Sequence, residues 1–332
     1  MTRKNLLFLS AIVVVLVLVI LAIESANDNT SATQGQVLLP GFAGQANDAQ
    51  RVSIMRPGAD TLTIKKVADD WVLAERDNYA ADVGKLRALI VALADATIVE
   101  EKTSNPELYA KLGVDDPEDG GSGSKVSVEG KEFSHTVILG QSAQGDHRYA
   151  RVADEAASYL INKNPSIADA ADWLLPDLLD LESARIRKVS ITHEDGDEIT
   201  VEKSSEDLTD FAVLGIPEGR ELSYATVGNG IANALSDLEF EDVRRATESA
   251  PATSAVFKTW DGLEVTVETS TENDESWVAF SATGDAESSS DAADLAAEIN
   301  DRLSGWQYRL PDYKKNLLGR RWEDILKSAG DD

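Results

Sequence analysis

The sequence predicts an α+β fold, made of repeated antiparallel β-meander plus helix units behind one N-terminal transmembrane helix. Three observations predict it: an uncharged apolar run near the start, hairpin signals with turn glycines that recur along the body, and amphipathic stripes that follow those hairpins.

The apolar run is Leu6 to Ile23, LLFLSAIVVVLVLVILAI. At 1.5 Å per residue it makes a helix about 27 Å long, close to the ~30 Å hydrocarbon core of a bilayer. Arg3 and Lys4 precede it and Glu24 and Asp28 follow, so the N-terminus stays in the cytoplasm and the body lies outside. A cleaved signal peptide carries a shorter apolar region ending in a small-x-small site, and Ile23 and Glu24 stand where a small residue would be needed. Residues 1–27 therefore read as a cytoplasmic stub and an uncleaved anchor. Ser10 and Ala11 make no small-xxx-small face within it, which favours tethering over helix pairing. Residues 28–50 are rich in Asn, Thr, Ser, Gln, Ala and Gly and read as a flexible linker.

From Arg51 a pattern recurs three times: two alternating strands joined by a glycine turn, a third strand, an amphipathic helix and a closing strand. In the first unit (residues 51–120) Val52 and Ile54 answer Leu62 and Ile64 across Pro57-Gly58, and Trp71 to Leu73 is the third strand. Asp82 caps a helix with Leu86, Leu89, Ile90 and Leu93 on one stripe, and Ile98 and Val99 close the unit. The second copy (185–248) has Val189 and Ile191, a turn at Asp195-Gly196-Asp197, then Ile199 and Val201, a third strand at Phe211 and Val213, and a helix bearing Val227, Ile231 and Leu235. The third (249–332) has Val256, a turn at Asp261-Gly262, Val265 and Val267, a strand from Trp277 to Phe280, and a helix marked by Leu295, Ile299 and Leu303. Between the first two copies, residues 121–184 read as a meander with a short helix near Ser166 to Leu175, set off by the linker DDPEDGGSGS at Asp115 to Ser124. One such unit cannot bury both faces of its strands, so the units are expected to pack together, with helices on one face of antiparallel sheets.

Composition narrows the function. With 59 acidic and 31 basic residues the formal charge is −28, a surface that repels nucleic acid. The absence of cysteine removes disulfides, thiol catalysis and thiolate metal sites.

The stretch DVGKLRALIVALADATIVEEKTSNPELYAKLGVDD from Asp82, with LGQSAQGDHRYARV (Leu139 to Val152) and ASYLINKN (Ala157 to Asn164), resembles the bacterial domain-of-unknown-function family numbered 4340. The resemblance spans about Arg51 to Val243. It implies a membrane-anchored extracytoplasmic protein of the bacterial inner membrane, associated with ABC-type transport systems of the gliding-motility kind. It carries over no catalytic or binding residue. Within it, Asn105-Pro106 with Leu108, Tyr109 and Leu112-Gly113 reads as a short packing helix, started by asparagine and stopped by glycine.

Motifs that could carry chemistry have plainer readings. The run His193 to Glu198 holds metal-ligand types but sits at a hairpin turn, where Asp and Gly serve the backbone. Gly228-Asn229-Gly230 lacks the rest of a dinucleotide loop and reads as a close helix contact. Gly140 to Gly145 misses the spacing of a nucleophile elbow and reads as a hairpin loop. His135, His147 and His193 show no converging spacing for a triad or a zinc site. No cofactor and no metal are expected.

One segment runs against the global charge. Arg302 to Lys327 carries seven basic residues and three acids, with Trp306, Tyr308, Tyr313 and Trp322 interleaved. Arg309, Lys314, Lys315, Arg320, Arg321 and Trp322 are the candidate partner-docking residues, since Trp, Tyr and Arg anchor interfaces. The competing reading pairs these cations with the acidic body and packs the aromatics into a core. The sequence thus points to a non-enzymatic accessory or scaffold protein of an envelope transport system, with transporter subunits as partners. The alternative is a tethered module that captures a glycan, peptide or lipid, marked by a pocket lined by Trp71, Trp277 or Trp306. A hydrolase stands third.

Overall fold

The computed structural model describes residues 33–175, 177–285 and 289–327. The expected anchor at Leu6 to Ile23 lies outside these residues. Among those described, no helix is long and apolar enough to cross a membrane. The architecture is α+β, its strand pairings are antiparallel, and it divides into two compact units, Met1–Leu174 and Leu175–Asp332.

The first unit runs α1 (Phe42–Gln45), β1 (Ala49–Met55), β2 (Leu62–Val67), β3 (Asp70–Leu73), β4 (Tyr79–Ala80), α2 (Val83–Ala94), β5 (Ile98–Thr103), α3 (Tyr109–Leu112), β6 (Ser124–Gly130), β7 (Ser134–Ser142), β8 (Arg148–Val152) and β9 (Ser158–Ile161). The first hairpin forms in the expected register: Val52 faces Ile64 and Ile54 faces Leu62. All four are buried, and Gly58 turns the chain with a positive φ of 68°. Asp82 caps α2 by accepting a hydrogen bond from the Lys85 amide at 3.0 Å, and the Leu86, Leu89, Ile90 and Leu93 stripe is buried as expected.

The second unit runs β10 (Asp177–Leu179), β11 (Ile186–His193), β12 (Glu198–Glu202), β13 (Ala212–Leu214), α4 (Val227–Ala232), β14 (Leu238–Glu239), β15 (Asp242–Arg245), β16 (Thr253–Thr259), β17 (Leu263–Glu272), β18 (Glu275–Gly284), α5 (Ser290–Leu303), β19 (Trp306–Arg309), α6 (Asp312–Leu318) and α7 (Trp322–Ile325). Val189 faces Val201 and Ile191 faces Ile199, as the alternation requires. In β16 the phase differs from expectation by one residue. Ala255 and Phe257 point into the core opposite Val267 and Val265, which leaves Val256 on the other face.

Strand pairing redraws the domain boundaries. In the first sheet the order is β4-β3-β2-β1-β6-β7-β8-β9-β5, and in the second β13-β12-β11-β16-β17-β18-β19-β15. Apart from β4, the two orders are the same. In the first sheet β1 pairs with β6 and in the second β11 pairs with β16, the strands that open the second halves, while β5 and β15, which follow α2 and α4, lie at the far edges. The expected boundaries at 120/121 and 248/249 therefore fall inside sheets, across the β1–β6 and β11–β16 pairings. Each β-β-β-α-β string has the predicted local order, but one string supplies only half a sheet.

The lead-in segments match as well. Val37 bridges Thr97 before β5, and β10 pairs with β14 before β15. Val37-Leu38-Leu39 thus takes the place that Asp177-Leu178-Leu179 takes in the second unit. Residues 33–50 are accordingly not a spacer, since Leu38, Leu39 and Phe42 are buried and Phe42 is fully enclosed. The DDPEDGGSGS stretch is built into the fold too. Asp116 caps a turn by accepting from the Glu118 amide at 3.0 Å, and the Ser122 hydroxyl donates to Asp115 at 2.7 Å.

Two further expectations change. Near Ser166 to Leu175 only one turn of 3-10 helix forms, Ala171–Trp173. The first sheet is also covered on both faces at its centre, not on one. In β7 four successive residues, Val137 to Gly140, are buried. Ile138 points away from the main core and packs with Tyr109 and Val114 of the segment that carries α3. That segment starts where expected, with Asn105 accepting from the Glu107 amide and Gly113 ending α3 at φ 67°.

His135 on β7 makes one pH-dependent contribution. Its ring lies 5.0 Å from that of Phe42 and 5.6 Å from that of Phe133, and Nε2 is 3.0 Å from Gln45 Oε1. Burial lowers its pKa from the ordinary 6.5. The folded state therefore binds fewer protons than the unfolded chain as pH falls through that value. The stability it contributes is present above pH 6.5 and is lost as pH drops through the folded pKa. Melting temperatures recorded from about pH 7.5 to 5.5 should decline, and His135→Gln should flatten that decline. A parallel decline in the variant would assign the effect to other groups.

Candidate functional site

The six residues of the C-terminal basic and aromatic stretch do not form one free surface. Arg309 on β19 pairs with Glu241 at 3.6 Å and Glu275 at 3.4 Å. Lys315 pairs with Asp312 at 2.7 Å, one turn away on α6. Arg321 reaches across to the β11–β12 turn, 2.7 Å from Asp195 and 3.6 Å from Asp197. The Asp195 carboxyl is held below the usual range, first by the Asp197 amide and then by Arg321. Lys314 is not a surface residue at all: it is 5% exposed and its ammonium donates to the carbonyls of Ala234 and Ser236 just beyond α4. Burial lowers its pKa, since desolvation disfavours the charged form.

What remains for docking is the Arg320 side chain, which makes no ion pair among the described residues, and half-exposed Trp322. Trp322 lines an open depression of about 500 Å³ with Pro217, Arg220, Arg321 and Leu326. Even here the backbone has a structural task, because the Arg320 carbonyl lies 3.1 Å from His193 Nε2. His193 is buried, with Nδ1 3.0 Å from the Thr253 hydroxyl, so the run His193 to Glu198 is a hairpin turn carrying a core histidine. Among the described residues no group of three or more His, Asp or Glu is placed to hold a metal ion.

The other motifs resolve into packing. A Cβ on Gly228 would stand 2.8 Å from the Phe211 carbonyl, so the glycine permits the close approach of α4 to the third strand. Asn229 beside it accepts from the Phe211 amide at 2.9 Å. Gly140 to Gly145 spans the end of β7 and the loop to β8.

Of the three tryptophans weighed as pocket walls, two are covered. The Arg244 guanidinium lies 4.1 Å from the Trp277 ring and that of Arg245 lies 3.7 Å from the Trp306 ring. Trp71 differs. It stands on β3 directly opposite Lys66 on β2, so both side chains share the face that turns toward α2. The hairpin extends past the buried stripe of α2, so Val83, Arg87 and Val91, at i, i+4 and i+8, face the space beside it. The result is a depression of about 250 Å³ with Trp71, Lys66 and Arg87 on its walls. It adjoins a second of about 390 Å³ that reaches Lys131 and Phe133, the two sharing Asn47, Ala49 and Lys66. This groove is the residue constellation that sequence periodicity missed. The alternation placed Trp71 in a strand, but nothing local shows that Lys131 and Arg87 converge on it.

The chain matches the family described as Domain of unknown function (DUF4340) over residues 71–255, more than half of its length. It belongs to that family. No curated protein and no solved structure matches it. The DUF4340 match begins in β3 and ends in β16, so it takes in most of the first sheet and, with β11, β12, β13 and β15, half of the second. Trp71 and Arg87 lie inside the match, whereas Lys66 and the C-terminal stretch lie outside it.

Proposed function

We propose that this DUF4340 protein is a non-enzymatic accessory or scaffold protein of an ABC-type envelope transport system, held at the bacterial inner membrane by its N-terminal segment with its body outside the cytoplasm. The observation that carries the reading is the uncharged run Leu6 to Ile23, flanked by Arg3 and Lys4, ahead of a large acidic body. The family resemblance supplies the transport association. Within the body the basic residues of the C-terminal stretch are mostly engaged by neighbouring acids or carbonyls, which leaves Arg320 and Trp322 as the side chains for a partner to meet.

Co-purification from native membranes in mild detergent tests it. Transporter subunits should be recovered in fixed ratio, and recovery of the protein alone would sink the proposal. Arg320→Glu with Arg321→Glu should reduce that recovery while lowering the melting temperature by only a few degrees, since exposed ion pairs such as Arg321–Asp195 contribute about 1 kcal/mol or less. A large loss of stability with unchanged recovery would confine both residues to folding.

A second reading, capture of a ligand by a tethered module, is favoured by one specific observation. Trp71 is the tryptophan of the three that lines an open groove.

A further inference from the structure

We propose that the Trp71 groove of the first unit is a binding site for an acidic oligosaccharide, one whose rings carry carboxylates. This deepens the ligand-capture reading and does not depend on the transport role.

Charge points to an acidic ligand. The chain carries a net charge of −28, and among the described residues most basic side chains are engaged by acids, carbonyls or aromatic rings. Among the described residues no ion pair engages Lys66, Arg87 or Lys131, although all three are exposed. All three line this groove. Asp48 and Glu132 line the Lys131 end, so that part is nearly balanced. The part around Trp71 holds Lys66 and Arg87 and no carboxylate. It is therefore a local cationic spot on an anionic protein, and a free carboxylate is the partner that such a pair of donors accepts.

The indole points to a sugar ring. A half-exposed tryptophan beside cations presents a flat apolar face with a polar rim. The C–H face of a pyranose ring matches that surface, and the Asn47 amide, on the walls of both depressions, offers a donor and an acceptor for ring hydroxyls. The joined groove has the size of ordinary small-molecule sites, about 300–1,000 Å³.

An acidic peptide bound in extended form would add to an open strand edge. In the sheet β2 lies between β1 and β3, and β3 between β2 and β4. The β1–β2 register ends at Arg51–Lys65, while Lys66 faces Trp71 on β3 and the Trp71 carbonyl accepts from the Ala81 amide at 2.8 Å. The groove is thus walled chiefly by side chains of interior strands, which favours a ligand recognised by its rings over strand addition.

The test uses the full chain in nanodiscs of neutral lipid, with calorimetric titration by tetragalacturonate, maltotetraose as the neutral sugar and tetraglutamate as the acidic non-sugar. Tetragalacturonate should bind saturably, and more tightly than either control. Lys66→Gln with Arg87→Gln should weaken it by about tenfold or more at unchanged melting temperature, and Trp71→Ala by a similar factor. No saturable binding of tetragalacturonate, equal binding of tetraglutamate, or an affinity indifferent to the charge variant would each overturn the proposal. Because Lys66 and Arg87 are exposed and make no ion pair among the described residues, the charge variant keeps the test valid even if Trp71→Ala fails to fold. Failure here would leave the co-purification result standing, and the reverse also holds.

Discussion

Phe42→Ala should destabilise the first unit by about 3–5 kcal/mol, the range for removing a fully buried aromatic ring from a packed core. Phe42 has no exposed surface, and its ring lies 6.1 Å from that of Phe133 and 5.0 Å from that of His135. The residue belongs to a stretch whose composition reads as a flexible linker, so the substitution separates two descriptions of the same segment. A spacer would tolerate it with no measurable change. A lead-in that completes the core would lose on the order of 10 °C in melting temperature, given about 2–4 °C per kcal/mol for a unit of this size. Thermal unfolding followed by near-UV circular dichroism gives the answer directly. A chain begun at Arg51 should be worse still, because it also loses Leu38, Leu39 and the backbone bond from the Leu38 amide to the Ala96 carbonyl at 2.8 Å.

Lys314→Ala should cost the second unit about 2–4 kcal/mol, since two carbonyls near a helix end lose a charged donor and a long aliphatic stem leaves the core. The ammonium donates to Ala234 and Ser236, and Asp237 and Asp180 favour its charge against the desolvation that lowers its pKa. Lys315, the next residue on the same helix, contrasts with it: Lys315→Ala removes an exposed pair with Asp312 and should shift stability by less than about 1 kcal/mol. Denaturant unfolding of the two variants side by side checks the assignment. If Lys314→Ala left stability unchanged and reduced recovery of a partner, the side chain would belong to a docking surface and the packing described above would be wrong.

Much of the local structure was legible because it follows from period and turn chemistry. The Val52/Ile54 and Val189/Ile191 alternations, the glycine turns at 58 and 196, and the Asp82 cap each rest on residues close in sequence. The phase error in β16 shows the limit of that reasoning. Val256 is the more β-branched residue, but Ala255 and Phe257 face the core because their partners Val267 and Val265 do. Likewise the composition of residues 33–50 reads as a linker, because the buried apolar residues there, adjacent Leu38 and Leu39 with Phe42 and Ala49, are too few and too unevenly spaced to make a period.

The candidate docking stretch was legible only as a list of residue types. Whether a basic residue there is free depends on acids far away in sequence, such as Asp195 for Arg321 and Glu241 for Arg309. The groove has the same character: Lys66 and Trp71 are neighbours through a hairpin, whereas Arg87 and Lys131 reach it through a helix face and another turn.

By itself the sequence determined the α+β class, the hairpins, the capped helix and the membership in DUF4340, because each depends on side-chain spacing within one element or on a contiguous likeness. Only the tertiary structure decided that four β-rich strings make two large sheets whose strand orders agree apart from β4, and which cations make no ion pair among the described residues. The physical reason is that a strand's own pattern specifies which face is buried but not which strand will lie beside it. That choice is made by backbone groups that every strand carries alike, and it is settled only when the whole sheet closes over its core.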